Sequence, residues 1–131
     1  MNREIIFRGK SSVTNEWVYG SRVKVGNESH IIGFDEVDLD GHHIRYCSDR
    51  PVFTKQGTIG QFTGLYDKNG KEIYEGDIIR NESCKGIVVY KNGAFCLELG
   101  KSCGYVWLFC LDSLLDIGNI YDDKELLEEM K

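Results

Sequence analysis

Between residues 35 and 43 the chain gathers its densest set of metal-ligand side chains: Asp35, Glu36, Asp38, Asp40, His42 and His43. Carboxylates and imidazoles in such a run could hold a divalent cation and, through it, activate a water for hydrolysis. The spacing works against this. Read as a calcium loop, Glu36-x-Asp38-x-Asp40-Gly41 places the closing bidentate position at Cys47, a thiol unsuited to a hard cation. His42 and His43 are adjacent, so on a strand they point to opposite faces and cannot chelate together. A solvated acidic loop turning at Asp40-Gly41 is the expected structure, and a metal-dependent hydrolase centred on Asp38, Asp40 and His42 is the third-ranked reading of function.

Other chemical signatures are weaker still. Gly9-Lys10-Ser11 and Gly100-Lys101-Ser102 echo the end of a phosphate loop, but its leading glycine would fall on Glu4 or Phe95, so both read as turns. There is no Gly-x-Ser-x-Gly elbow, and spacing ties none of the three histidines to a nucleophile. Asp67, Glu72, Glu75 and Asp77 lie close enough to suggest an acid/base pair, yet carboxylates beside Lys-Asn-Gly and Gly are turn and cap residues that bond the local backbone. The five cysteines, Cys47, Cys84, Cys96, Cys103 and Cys110, form no Cys-x-x-Cys pair. They read as reduced thiols, Cys96 and Cys110 as small hydrophobes in apolar strands and Cys84 and Cys103 in polar loops. No catalytic, cofactor-binding or metal-binding residue is assigned, and no cofactor is expected.

The aromatic residues are the remaining candidates. Tyr66, Tyr74, Tyr90, Phe95, Tyr105, Trp107 and Phe109 could line a recognition groove. At strand spacing Tyr105, Trp107 and Phe109 share a face, which reads as packed inside or at a subunit interface. With Leu126, Leu127 and Met130 of the terminal segment they make up the candidate interaction surface.

The elements that must carry these residues are mostly strands. Residues 4–8 and Trp17 to Val25 read as two strands, His30 to Phe34 and His42 to Cys47 as two more, and Pro51 as the boundary between lobes spanning residues 1–50 and 51–131. Beyond it, Gln61 to Tyr66, Glu72 to Tyr74, Asp77 to Asn81, Gly86 to Lys91, Ala94 to Leu99 and Tyr105 to Leu111 read as strands. Asn69-Gly70, Glu75-Gly76 and Asn92-Gly93 separate them, the last being the strongest hairpin signal. Short strands with glycine at the bends predict a mainly β fold: an N-terminal β lobe, then a small closed or half-open SH3-like barrel. Asp112 or Ser113 could start a helical turn over Leu114-Leu115, before a last strand from Ile117 to Tyr121. Asp122 or Asp123 then caps a helix from Lys124 to Met130, too short to stand alone, which must dock on the barrel or on another subunit.

Composition narrows the partners. Residues 112–131 hold seven carboxylates against two lysines, and the preceding residues carry fourteen charges of each sign, so the net charge of −5 belongs to the tail. A neutral body lacks the basic stripe that phosphate neutralisation needs. The longest apolar run, Tyr105 to Leu111, is far short of a membrane span, and no signal peptide precedes Ile5. No membrane role is expected, and the compartment expected is the cytoplasm.

One segment also carries a resemblance. Thr58-Ile-Gly-Gln-Phe-Thr-Gly-Leu-Tyr-Asp-Lys-Asn-Gly-Lys-Glu-Ile-Tyr-Glu-Gly-Asp-Ile-Ile79 is similar to the hallmark segment of the YopX-like proteins of phages and prophages. Ile117-Gly-Asn-Ile-Tyr-Asp-Asp-Lys-Glu-Leu-Leu127 resembles a second hallmark, and Phe7-Arg8-Gly9 with Trp17-Val18-Tyr19-Gly20 a weaker one; Gly9-Lys10-Ser11 departs from it where a bulkier residue is expected, and residues 27–57 match nothing specific. The resemblance implies a phage-borne, cytoplasmic, self-associating protein, and it supplies no catalytic residues. The leading reading is a non-catalytic accessory protein that forms a homo-oligomer and binds protein. The alternative is nucleic-acid binding through the barrel, with Arg45, Arg50, Lys55, Lys85 and Lys91 gathered into one patch.

Overall fold

The computed structural model describes residues 5–100 and 104–129, with residues 34–39 and 43–50 described by backbone alone. The chain is mainly β and forms two compact units, Met1–Gln61 and Phe62–Lys131.

In the first unit, β1 (Phe7–Lys10), β2 (Trp17–Val25), β3 (Glu28–Leu39) and β4 (His42–Val52) form an antiparallel sheet in the order β4-β3-β2-β1, and β1 also pairs with Gly60 and Gln61 at the start of β5 (Gly60–Tyr66). Its inner positions are unusually polar. Arg8 and Lys10 are both buried, their charged ends 4.3 and 5.0 Å from the ring centre of Trp17, where the aromatic face offsets part of the lost hydration. His30 is also buried, its Nδ1 accepting the Thr54 N–H at 3.0 Å. That bond leaves the proton on Nε2, 3.2 Å from a Glu28 carboxylate oxygen. Gly20 has a steric reason: a Cβ there would lie 2.0 Å from the carbonyl oxygen of Ile32.

Two expectations change here. Residues 35–39 are strand, not loop, with Asp38 opposite His43 and Leu39 opposite His42. The turn is confined to Asp40-Gly41, both at positive φ, because strand pairing satisfies more backbone groups than an open loop would. Pro51, expected at a lobe boundary, lies inside β4 opposite Ile32.

In the second unit β5 continues through Tyr66 and pairs with β6 (Glu72–Tyr74). The strands β7 (Asp77–Arg80), β8 (Lys85–Lys91), β9 (Ala94–Leu99), β10 (Tyr105–Trp107) and β11 (Leu115–Asn119) make a five-stranded antiparallel sheet in the order β10-β9-β8-β7-β11. The core is Ile73, Ile79, Val88, Leu97, Leu108 and Leu114. Burying each such side chain contributes roughly 1.5–3 kcal/mol, so this cluster dominates the unit. The Asn92-Gly93 hairpin forms as expected, with φ of 54° and 85°.

The sheet is not closed: β10 and β11 end the strand order, and among the described residues no ladder joins them. The expected strand over 105–111 stops at Trp107, and Leu108–Cys110 form a single 3-10 turn that drives Leu108 into the core. No helical turn covers Leu114-Leu115. Ser113, at φ 56°, bends the chain instead, and β11 begins at Leu115. The helix α1 (Lys124–Glu129) touches its own sheet: just before it, Asp123 Oδ2 accepts the Asn119 N–H of β11 at 3.0 Å, and Glu129 meets Lys85 of β8 at 3.2 Å.

Candidate functional site

Two carboxylates of the 58–79 segment, Asp67 and Asp77, brace turns. Asp67 Oδ1 accepts the N–H groups of Asn69 and Lys71 at 2.8 and 2.9 Å, closing the Asp67–Lys71 turn, and its Oδ2 accepts the Asp116 N–H of β11 at 3.1 Å. Burial opposes ionisation of Asp67, but the donors of Lys71, Asp116 and Asn69 outweigh it and hold the carboxyl below its ordinary 3.8. Asp77, 1% exposed, accepts the Tyr74 N–H at 2.9 Å and so closes the Glu75-Gly76 turn. The turn-and-cap role expected for these two residues is what the geometry gives.

Asp116 has no counterpart in the sequence reading. Its side chain is wholly buried, with Oδ1 accepting the Gly118 N–H at 3.1 Å and facing Lys71 Nζ at 3.4 Å, while the buried Oδ2 meets no donor. A proton on Asp116 makes that oxygen a donor toward Asp77. Burial first, then the hydrogen bond and charge of Asp77, push the Asp116 carboxyl up to about 8. Lys71 pulls the other way but is 58% exposed, so water screens it. Both carboxyls, Asp77 and Asp116, are thus shut away from solvent at the seam where β7 pairs with β11.

The 58–79 and 117–127 stretches thus meet as one joint. Asp77 pairs with Asn119, the Ile120 N–H bonds the Gly76 carbonyl at 2.9 Å, and a Cβ on Gly76 would lie 2.9 Å from the Tyr121 ring. Gly76 itself sits at φ 90°, so the glycine answers both a turn and a close approach.

Functional potential lies instead on the exposed aromatics. Tyr105 is 48% exposed, Trp107 44% and Phe109 70%, so of the two expected placements, packed inside or at a subunit interface, the first does not hold. The reason is register. Val106 lies opposite Leu97 of the core, so its neighbours on β10 must face away. Trp107 and Phe109 stack, with ring centres 6.3 Å apart, and Lys91 Nζ stands 3.5 Å from the centre of Tyr105. Of the wider set, Tyr74 is buried, Phe95 is half-buried against Tyr90, and Tyr66 and Tyr90 are exposed. Leu126 and Leu127 are half-buried; Met130 lies outside the described residues.

Beside Phe109 opens a cavity of about 200 Å³ lined by Leu65, Leu108, Leu111 and Leu114, with Tyr66, Lys68, Asp112 and Ser113 completing its wall. Nothing in the sequence marked it, since its lining comes from two stretches some forty residues apart.

The side chains of Asp35, Glu36, Asp38, His43, Arg45, Cys47 and Arg50 lie outside the described residues, as does Cys103, and among the described residues no three ligand-type side chains form a metal cluster. Cys96 is buried, Cys84 donates its thiol to Asn81 Oδ1 at 3.4 Å, and Cys110 is exposed in the 3-10 turn rather than in a strand. Lys55 bonds Asn15 and Lys85 bonds Glu129. No helix among the described residues is long and apolar enough to cross a membrane.

The family model described as YopX protein matches residues 6–128. No curated protein matches the chain. Among solved structures, the chain is similar to protein EF1440 from Enterococcus faecalis, with 26% identity over 96% of this chain and 99% of that one and a TM-score of 0.59.

Proposed function

The chain belongs to the YopX protein family, and we propose that it is a phage- or prophage-encoded accessory protein of the host cytoplasm that acts without catalysis, by self-association and protein binding. The observation that carries this reading is the run of exposed aromatics on β10 and the turn after it. Tyr105, Trp107 and Phe109 are large, apolar and well exposed within five residues. Such side chains dominate binding energy where they are enclosed by a partner. Of the carboxylates that could have served acid/base chemistry, Asp67 and Asp77 are committed to backbone donors. We also read the second unit as a half-open SH3-like small barrel, on its five short strands and glycine bends.

Sedimentation velocity across a hundredfold concentration range tests the reading. A defined oligomer that Tyr105→Ser/Trp107→Ser weakens supports it; a wild-type monomer throughout contradicts it. Lys91 above Tyr105 favours a second reading, a stacking platform for single-stranded nucleic acid with a cation at its edge. Salt-dependent retention on single-stranded DNA, lost in Tyr105→Ser/Trp107→Ser, would favour it over self-association.

A further inference from the structure

We propose that the cavity beside Phe109 receives the Phe109 ring of a second copy, so that two copies exchange these rings about a two-fold axis. The inference rests on the self-association reading above and names its contact.

Size and lining fit the occupant. An apolar cavity of about 150 Å³ suffices to take a benzene ring, and this one holds about 200 Å³ with leucine on its walls. Its one buried charged side chain, Asp67, is already saturated by three N–H donors. The other polar residues of the wall, Tyr66, Lys68, Asp112 and Ser113, are exposed and can stay hydrated at the mouth while an aromatic ring enters against the leucines.

The source of the ring is argued from the patch itself. A two-fold contact uses the same surface on both partners, so knob and hole must lie side by side on one molecule. Phe109 is the most exposed aromatic residue described, and it forms part of the cavity's own rim. Stacking against Trp107 restrains the ring, which lowers the ordering cost of docking. The rim also carries opposite charges, Lys68 and Asp112, both exposed. Two-fold pairing lets the Lys68 of each copy face the Asp112 of the other, a complementarity that steers two copies into one register.

Light scattering and sedimentation of single and paired variants test this. Phe109→Asp removes both rings of a dimer and should raise its dissociation constant by about a hundredfold or more. Because the ring is exposed, circular dichroism should not change. Lys68→Glu and Asp112→Lys should each weaken the dimer several-fold, and the double swap Lys68→Glu/Asp112→Lys should restore it, a rescue that a merely local structural role would not give. Photocrosslinks from benzoylphenylalanine at position 109, between light and heavy isotope-labelled chains, should land within residues 65–68 or 111–114. If wild type associates but Phe109→Asp leaves it unchanged, or crosslinks fall elsewhere, this contact is wrong and the self-association reading survives. A wild-type monomer overturns both.

Discussion

Replacing Asp116 with asparagine should stabilise the protein above neutral pH. In Asp116→Asn the amide oxygen can keep the Gly118 N–H bond, while the amide nitrogen supplies, without a titrating proton, the donor that Asp77 receives from protonated Asp116. The magnitude follows from linkage. Asp116 has a folded value of about 8 against an unfolded 3.8, so between these limits the folded state binds the extra proton. A raised folded value means that the stabilisation is complete below the unfolded value and is lost as pH rises to the folded one. Wild type should therefore lose about 1.4 kcal/mol per pH unit over this window, on the order of 5 kcal/mol in all. The variant should lack that slope, so the two curves separate with rising pH and the variant is the more stable at pH 8. Urea unfolding at half-unit pH steps, followed by Trp107 fluorescence in a Trp17→Phe background, reads the second unit. A wild type with no such slope between pH 5 and 8, or an Asp116→Asn variant less stable than wild type at pH 8, refutes the shared-proton account.

Three further substitutions probe the same framework. Asp67→Ala removes the acceptor for three N–H groups and should cost about 3 kcal/mol in urea unfolding; because the folded value of Asp67 is lowered, the loss should be full at neutral pH and shrink as pH falls below 3.8. Gly76→Ala places a Cβ at φ 90° against Tyr121 and should cost about 2 kcal/mol, only part of which Tyr121→Ala recovers. His30→Phe leaves the buried Thr54 N–H without its acceptor and should cost about 2 kcal/mol, read as faster amide hydrogen exchange at Thr54.

Much of this architecture is legible from local chemistry. The two-residue period and glycine bends locate β2, β6 and β9 at their observed limits, and Asn92-Gly93 announces its hairpin. The terminal helix begins at Lys124 as its half-apolar face suggests, although the Asp123 carboxylate bonds back to the Asn119 N–H. What escapes is nonlocal. Tyr105, Trp107 and Phe109 look like a core stripe until the register with β9 gives the inner position to Val106, and nothing near Leu108 warns that the strand ends there. The Asp67–Asp116 bond spans 49 residues, and each partner alone looks like an ordinary surface carboxylate. The site was half visible: the aromatic residues were named from the sequence, but their exposure and the adjoining cavity depend on long-range pairing.

The central claim is that copies of this 15.0 kDa chain associate through the aromatic end of the second unit. Light scattering coupled to size exclusion, with absorbance recorded at 260 and 280 nm (about the maxima of nucleic acid and of aromatic side chains), tests it in one run. The account predicts a defined oligomer free of nucleic acid for wild type and a smaller species for Phe109→Asp. A wild-type peak at the monomer mass, or one that carries nucleic acid, would contradict it.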